Sequence, residues 1–159
     1  MKNEFKLMQF VIAGHQLAVI PNYYFKGFEC DCFSINKNLY TTEYEIKISK
    51  TDFKNDFNKQ QQRHNWQTKT IEITKHAAIK NGQRTNRFYF VVPKELDISV
   101  PDYAGLITFN EFDFSIVQQA PRLHKNKIDE REIKHCLTKL SWKYYHLAWD
   151  RNNQTVLNL

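Results

Sequence analysis

An α/β fold is the class this sequence predicts, and three observations predict it. Apolar residues recur at helical spacing near both ends of the chain, with Phe5, Met8 and Ile12 beside a second row of Leu7 and Val11, and later Ile133, Cys136, Leu137, Leu140, Tyr144 and Leu147. Between them, Thr42-Glu43-Tyr44-Glu45-Ile46-Lys47-Ile48-Ser49 alternates with a period of two, as a strand buried on one face does. Arg87 to Val92 is a near-continuous aromatic and β-branched run, which predicts a strand covered on both faces.

In chain order, a helix is expected over Glu4 to Leu17. A short strand Leu17-Ala18-Val19-Ile20 should then end at a Pro21-Asn22 turn. Gly27 to Ile35 and Leu39 to Ser49 form a central hairpin around Asn36-Lys37-Asn38. Ser49 or Thr51 can cap the next helix, with Asp52 in its first turn. Lys54 to Trp66 is polar and basic, and Gln60-Gln61-Gln62-Arg63-His64 is too polar for a core. A second helix is expected from Thr70 to Lys80, stopped by Asn81-Gly82. Strands follow over 87–92, 105–109 and 112–118, then a helix over 128–149 that makes core of Trp142, Tyr144, Tyr145 and Trp149. The length fits one domain over residues 1–150, with a frayed tail at 151–159.

The bulk properties narrow the class of partner. A net charge of +6 turns attention to polyanions, though a basic protein need not bind one. No apolar run approaches a membrane span and the first residues lack a signal-peptide core, so a cytoplasmic protein is expected. Three cysteines make no disulfide framework. Cys30 and Cys32 should both face away from Asp31 as small core hydrophobes, and with Cys136 remote they do not suggest zinc.

The alternating strand carries the chemistry. Glu43, Glu45, Lys47 and Ser49 fall on one face, Tyr44, Ile46 and Ile48 on the other. Folding the hairpin brings Asp31 onto the strand next to Glu45, where two carboxylates can share a cation. Spacing alone leaves a second reading open, in which Asp31 is simply ion-paired with Lys47. Likewise Glu45 could sit on a solvated face, Lys47 could be an exposed lysine, and Glu29 and Glu43 are expected at the surface.

Asp31 followed by Glu45-x-Lys47 resembles the D…(D/E)xK signature of the PD-(D/E)xK nuclease superfamily. Ser49-Lys50-Thr51-Asp52-Phe53-Lys54-Asn55-Asp56-Phe57, Asn86 to Pro93 and Val100 to Ile107 are similar to segments of a small bacterial and phage branch of it. The likeness covers roughly Ile20 to Lys127, and Cys30 stands where the superfamily often has proline. The resemblance implies a restriction-endonuclease-like core, αβββαβ, with a mixed sheet flanked by helices. It implies metal-dependent hydrolysis of DNA phosphodiesters by Asp31, Glu45 and Lys47. Magnesium or manganese would be held by Asp31, Glu45 and the Ile46 carbonyl, which agrees with a motif of hard oxygen donors lacking histidine. It also makes a homodimer an open possibility, and Glu4 a further candidate acid.

Basic residues supply candidate DNA contacts. Arg63, Lys69, Lys75, His76, Lys80, Arg84 and Arg87 follow the motif, interleaved with Trp66, while Arg122, His124, Lys125 and Lys127 cluster in a loop. Lys75, His76, Arg122, Lys125 and Lys127 are the candidates taken from these, with Lys75-His76 near the scissile phosphate. A helix C-terminal dipole partner is the simpler role for that pair. Two rivals to a nuclease remain: a nucleic-acid-binding protein without turnover, and an accessory protein that meets an acidic partner.

Overall fold

The computed structural model describes the backbone of residues 2–14, 16–65, 68–111 and 113–156, and the side chains of these outside 2–5, 61–72 and 151–156. The chain divides into two compact units, residues 1–127 and 128–159, so the boundary falls well before position 150.

The first unit is a mixed α/β layer structure. Its elements are α1 (Lys2–Ala13), β1 (Gln16–Phe25), β2 (Phe28–Asn36), β3 (Thr41–Ile46), α2 (Lys50–Asp56), β4 (Gln60–Asn65), β5 (Thr68–Thr74), α3 (Lys75–Lys80), β6 (Arg87–Pro93), β7 (Gly105–Phe109) and β8 (Phe114–Gln118). Six strands form one sheet in the order β1-β2-β3-β6-β7-β8, while β4 and β5 pair as a separate two-stranded ribbon. The β3–β6 and β6–β7 pairs are parallel and the other pairs antiparallel. Strand alternation sorts two cores onto the two faces. Leu7 and Val11 of α1 pack with Cys32, Tyr44, Tyr89, Val91 and Ile107 on one side. Phe53 of α2, Phe57 just after it and Ile79 of α3 pack with Phe88, Phe90 and Val92 on the other. The residues of β6 are therefore buried on both sides, as their composition predicts.

The turns follow local chemistry. Lys26 and Gly27, both at positive φ (46° and 95°), join β1 to β2 in two residues. At the next turn the Asn36 side chain accepts from the backbone N–H groups of Asn38 and Tyr40. Ser49 caps α2, its Oγ accepting from Asp52 N at 3.0 Å. Gly105 lies under Tyr89, and a Cβ there would run into the Tyr89 ring and the Ala120 backbone nitrogen.

Two expectations need correction. β1 does not stop at Pro21-Asn22 but runs to Phe25. It is an edge strand, where proline's missing N–H costs nothing, and Asn22 absorbs the irregularity at φ 46°. The helix expected over Thr70 to Lys80 is a strand to Thr74 followed by a six-residue helix. The alternating β-branched residues Thr70, Ile71, Ile73 and Thr74 suit a strand, and Thr74 Oγ1 then caps α3 by accepting from Ala77 N. The polar run at Gln60, for which the sequence predicts no element, is a strand paired with β5 from Gln60↔Thr74 onward.

The second unit is one helix, α4 (Glu130–Val156), which extends past position 150 into the stretch expected to fray. Trp142, Tyr144, Tyr145 and Trp149 are not core: each is at least half exposed, Tyr144 the most at 75%. A single helix offers no second layer to bury them in.

Candidate active site

The charged face of β3 is buried. Glu43, Glu45 and Lys47 are 0%, 1% and 4% exposed, so neither a solvated Glu45, a surface Glu43 nor an exposed Lys47 describes this chain. Glu29 is exposed as expected. These three side chains share the α2–α3 face with Phe88 and Phe90, their partners on β6 being Glu43↔Phe88 and Glu45↔Phe90. Across β2–β3 the register Cys32↔Tyr44 and Phe33↔Glu43 continues by one step to set Asp31 opposite Glu45. Asp31 Oδ2 also accepts the Ile46 N–H at 2.7 Å, fastening the half-buried carboxylate to the end of β3.

Burial of so much charge requires pairing, and the pairing is dense. Lys47 Nζ lies 3.1 Å from Glu45 Oε2 and 2.7 Å from Asp56 Oδ1 at the end of α2. Lys59 Nζ reaches the same two oxygens, at 3.5 and 2.6 Å. Lys75, fully buried at the start of α3, pairs with Glu45 Oε1 and with Glu43 Oε1 at 2.9 Å, and donates to the Glu29 carbonyl. Arg84 binds the other Glu43 oxygen through Nη2 at 2.9 Å and donates to the Phe25 and Phe28 carbonyls, tying the β1–β2 turn to β3. Asp56 Oδ2 meets His76 Nε2 at 2.8 Å, and His76 Nδ1 meets the Tyr103 hydroxyl at 2.9 Å.

The electrostatics differ within this cluster. Burial disfavours the ammonium forms of Lys47 and Lys75, but the facing carboxylates outweigh it, and both pKa values lie above the usual lysine value. Burial would likewise raise Asp56, yet the His76 hydrogen bond and the two lysines hold it well below the usual carboxylate range. Asp31 goes the other way. Burial and the neighbouring Glu45 charge push it up to about 6, against the Ile46 N–H and the more distant Lys47 and Lys59. Lys47 pairs with Glu45 and Asp56, so the alternative Asp31–Lys47 ion pair is not formed.

Among the described residues no group of three or more His, Cys, Asp or Glu side chains is disposed to hold a metal ion. A cation here would rest on Asp31, Glu45, the Ile46 carbonyl and water. That donor set suits magnesium, which keeps several waters and takes one or two carboxylates. Two neighbouring carboxylates, one with its pKa raised by burial and then by the charge of the other, fit such a charge, although Glu45 already faces ammonium groups on both oxygens.

Of the candidates named from the sequence, Asp31, Glu45, Lys47, Lys75 and His76 converge. Lys75 and His76 stand at the start of α3, not at its C-terminus, and both are buried, so neither presents a surface for DNA. Arg84 is buried too. Arg122, Lys125 and Lys127 lie at the opposite end of β3. The Arg122 guanidinium stacks over the Tyr40 ring at 4.4 Å, and Lys127 Nζ lies 6.0 Å from that ring. Tyr40 precedes Glu45 by five residues, roughly 16 Å of strand rise. His124 is half-buried and bonds Asn86 and the Arg84 carbonyl. The side chains of Glu4, Arg63, Trp66 and Lys69 fall outside the described residues.

Sequence reasoning missed Asp56, Lys59 and Tyr103. The spacing of Asp52 and Asp56 by one helical turn after a capping serine was the available signal for Asp56; nothing local marks Tyr103. Of the cysteines, Cys32 sits in the α1-side core. Cys30 donates to the Tyr23 carbonyl, and burial, then the Glu43 charge, raises its thiol well above its usual value.

No family model and no curated protein matches the chain. Among solved structures it is similar to the SPO1766 protein of unknown function from Silicibacter pomeroyi, at 18% identity and a TM-score of 0.62 over 93% of this chain and 88% of that one. At that identity the likeness speaks for the fold alone.

Proposed function

We propose that the chain is a metal-dependent deoxyribonuclease with a restriction-endonuclease-like core. The observation that carries this reading is the meeting of Asp31, Glu45 and Lys47 on one face at the end of β3. Asp31, Glu45 and the Ile46 carbonyl would hold magnesium or manganese, which when bound lowers the pKa of a water and neutralises phosphate charge. Lys47, kept as an ammonium by Glu45 and Asp56, stabilises the developing negative charge of the attacked phosphate and orients the nucleophile. Glu43, Lys75 and Arg84 hold the floor of the site rigid beneath them. The exposed Arg122, Lys125 and Lys127 serve as sequence-independent phosphate contacts away from the reacting bond.

A binding protein on the same fold without turnover is the second reading, favoured by the ammonium groups that already occupy Glu45. Incubating the purified protein with labelled linear, branched and single-stranded DNA, with and without magnesium or manganese, separates the two. Metal-dependent cleavage supports the nuclease. Binding with no cleavage in any arm supports the alternative.

A further inference from the structure

We propose that Asp56 is the positioning acid of this site and that Lys59, which it holds beside Lys47, is a phosphate-binding residue. The inference rests on the nuclease reading and adds two residues to it. Lys47, Glu45, Lys59 and Asp56 alternate in a closed ring of charges: both ammonium groups touch Asp56 Oδ1, at 2.7 and 2.6 Å, and both approach Glu45 Oε2, at 3.1 and 3.5 Å. The two lysine side chains are not equivalent. That of Lys47 is 5% exposed and closed in, whereas that of Lys59 is 45% exposed. Lys59 can leave Glu45 for an incoming phosphate while its ammonium group stays on Asp56 Oδ1.

The other Asp56 oxygen explains how the ring keeps its geometry. The Tyr103 phenol, its pKa raised to about 12 by burial and then by Asp102 and Asp56, stays protonated and donates to His76 Nδ1. That bond selects the tautomer in which Nε2–H donates to Asp56 Oδ2, leaving Oδ1 free for two lysines. The imidazole packs against two aromatic rings, 4.2 Å from Phe57 and 5.6 Å from Phe90. Tyr103, His76 and Asp56 therefore form one oriented chain ending on the two ammonium groups.

Two pairs of variants test this. Lys59→Met should weaken binding of a short DNA duplex in calcium and lower the log–log salt slope by roughly 0.7 to 0.9, the value of one neutralised phosphate. His76→Gln keeps a side-chain N–H for Asp56, whereas His76→Phe keeps the aromatic packing and loses the donor. Positioning predicts that the Gln variant retains at least about tenfold more kcat in magnesium than the Phe variant. A purely structural histidine predicts the reverse order. Asp56→Asn should lower kcat and weaken duplex binding together. An unchanged slope in Lys59→Met, or equal or better turnover in His76→Phe, overturns the inference. Wild-type protein that binds duplex but never cleaves it overturns the nuclease reading and with it the positioning role of Asp56, while the Lys59 slope still decides the phosphate contact.

Discussion

One register step past the last pair of the β2–β3 ladder, Asp31 falls opposite Glu45, and burial, then the negative charge of Glu45, holds the Asp31 carboxyl at a pKa of about 6. Like charges directly opposed across a sheet are destabilising, and burial adds to the cost. The cost of keeping such a pair would be offset by the cation proposed to bind there.

That cost has a pH signature. The folded pKa of Asp31 lies above its unfolded value near 3.8, so the folded state holds the proton more tightly. The carboxyl is harmless below about pH 4, and its penalty grows as pH rises through 4 to 6 and is complete above that. Asp31→Asn keeps an acceptor for the Ile46 N–H and removes the charge. It should raise stability at pH 7.5 by on the order of 1–2 kcal/mol, discounted for the solvent that reaches this half-buried group. The gain should vanish at pH 4. Urea melts at the two pH values check it, and a gain of the same size at both would remove charge repulsion as the cause.

Glu43 and Arg84 are a different case, a fully buried pair with no role in the chemistry. Arg84→Met should destabilise by about 3–5 kcal/mol, because it leaves the buried Glu43 Oε2 without a partner, with only Lys75 on Oε1, and frees the carbonyls of the β1–β2 turn. Glu43→Gln combined with Arg84→Met should recover part of the loss. Denaturant titration of the three variants reads both, and a loss below about 1 kcal/mol for Arg84→Met would show the pair to be dispensable.

Lys47→Met separates ligation from catalysis. Turnover should fall by roughly 10²–10³, while manganese affinity measured by calorimetry stays within a few-fold of wild type. A large loss of metal binding would make Lys47 a purely structural partner of Glu45 and Asp56.

The basic loop should act on affinity. Replacing Arg122, Lys125 and Lys127 together by alanine should weaken DNA binding in calcium equally for unrelated sequences. The salt slope should drop by roughly 0.7 to 0.9 for each phosphate the loop no longer neutralises. Competition between two duplexes of different sequence at several salt concentrations checks this. An unchanged slope would leave the Tyr40–Arg122 face as ordinary solvated surface.

Much of this site could be read in the sequence because it lies on one strand. Alternation alone put Glu43, Glu45 and Lys47 together, and the Asn36 turn brought Asp31 alongside. Their depth could not be read, since Glu43 is buried only because Lys75 and Arg84, more than thirty residues away, close over it. Lys59 and Lys75 become neighbours through the β4–β5 ribbon, where Lys75 N donates to the Lys59 carbonyl, and the polar composition of that segment hid its strands. Tyr103 reaches His76 from the loop before β7, a contact that no local pattern foretells. The α4 aromatics were misjudged because helical spacing reveals a stripe without revealing whether anything covers it.

Everything proposed for the chemistry depends on Asp31 and Glu45 binding a cation that the reaction needs. Cleavage of a labelled duplex by wild type, Asp31→Asn and Glu45→Gln at matched magnesium concentrations tests it most directly, with circular dichroism confirming the fold of each. The expected result is metal-dependent cleavage by wild type and none above background by either variant. Undiminished cleavage in either variant, or wild-type cleavage that persists in excess chelator, would contradict it.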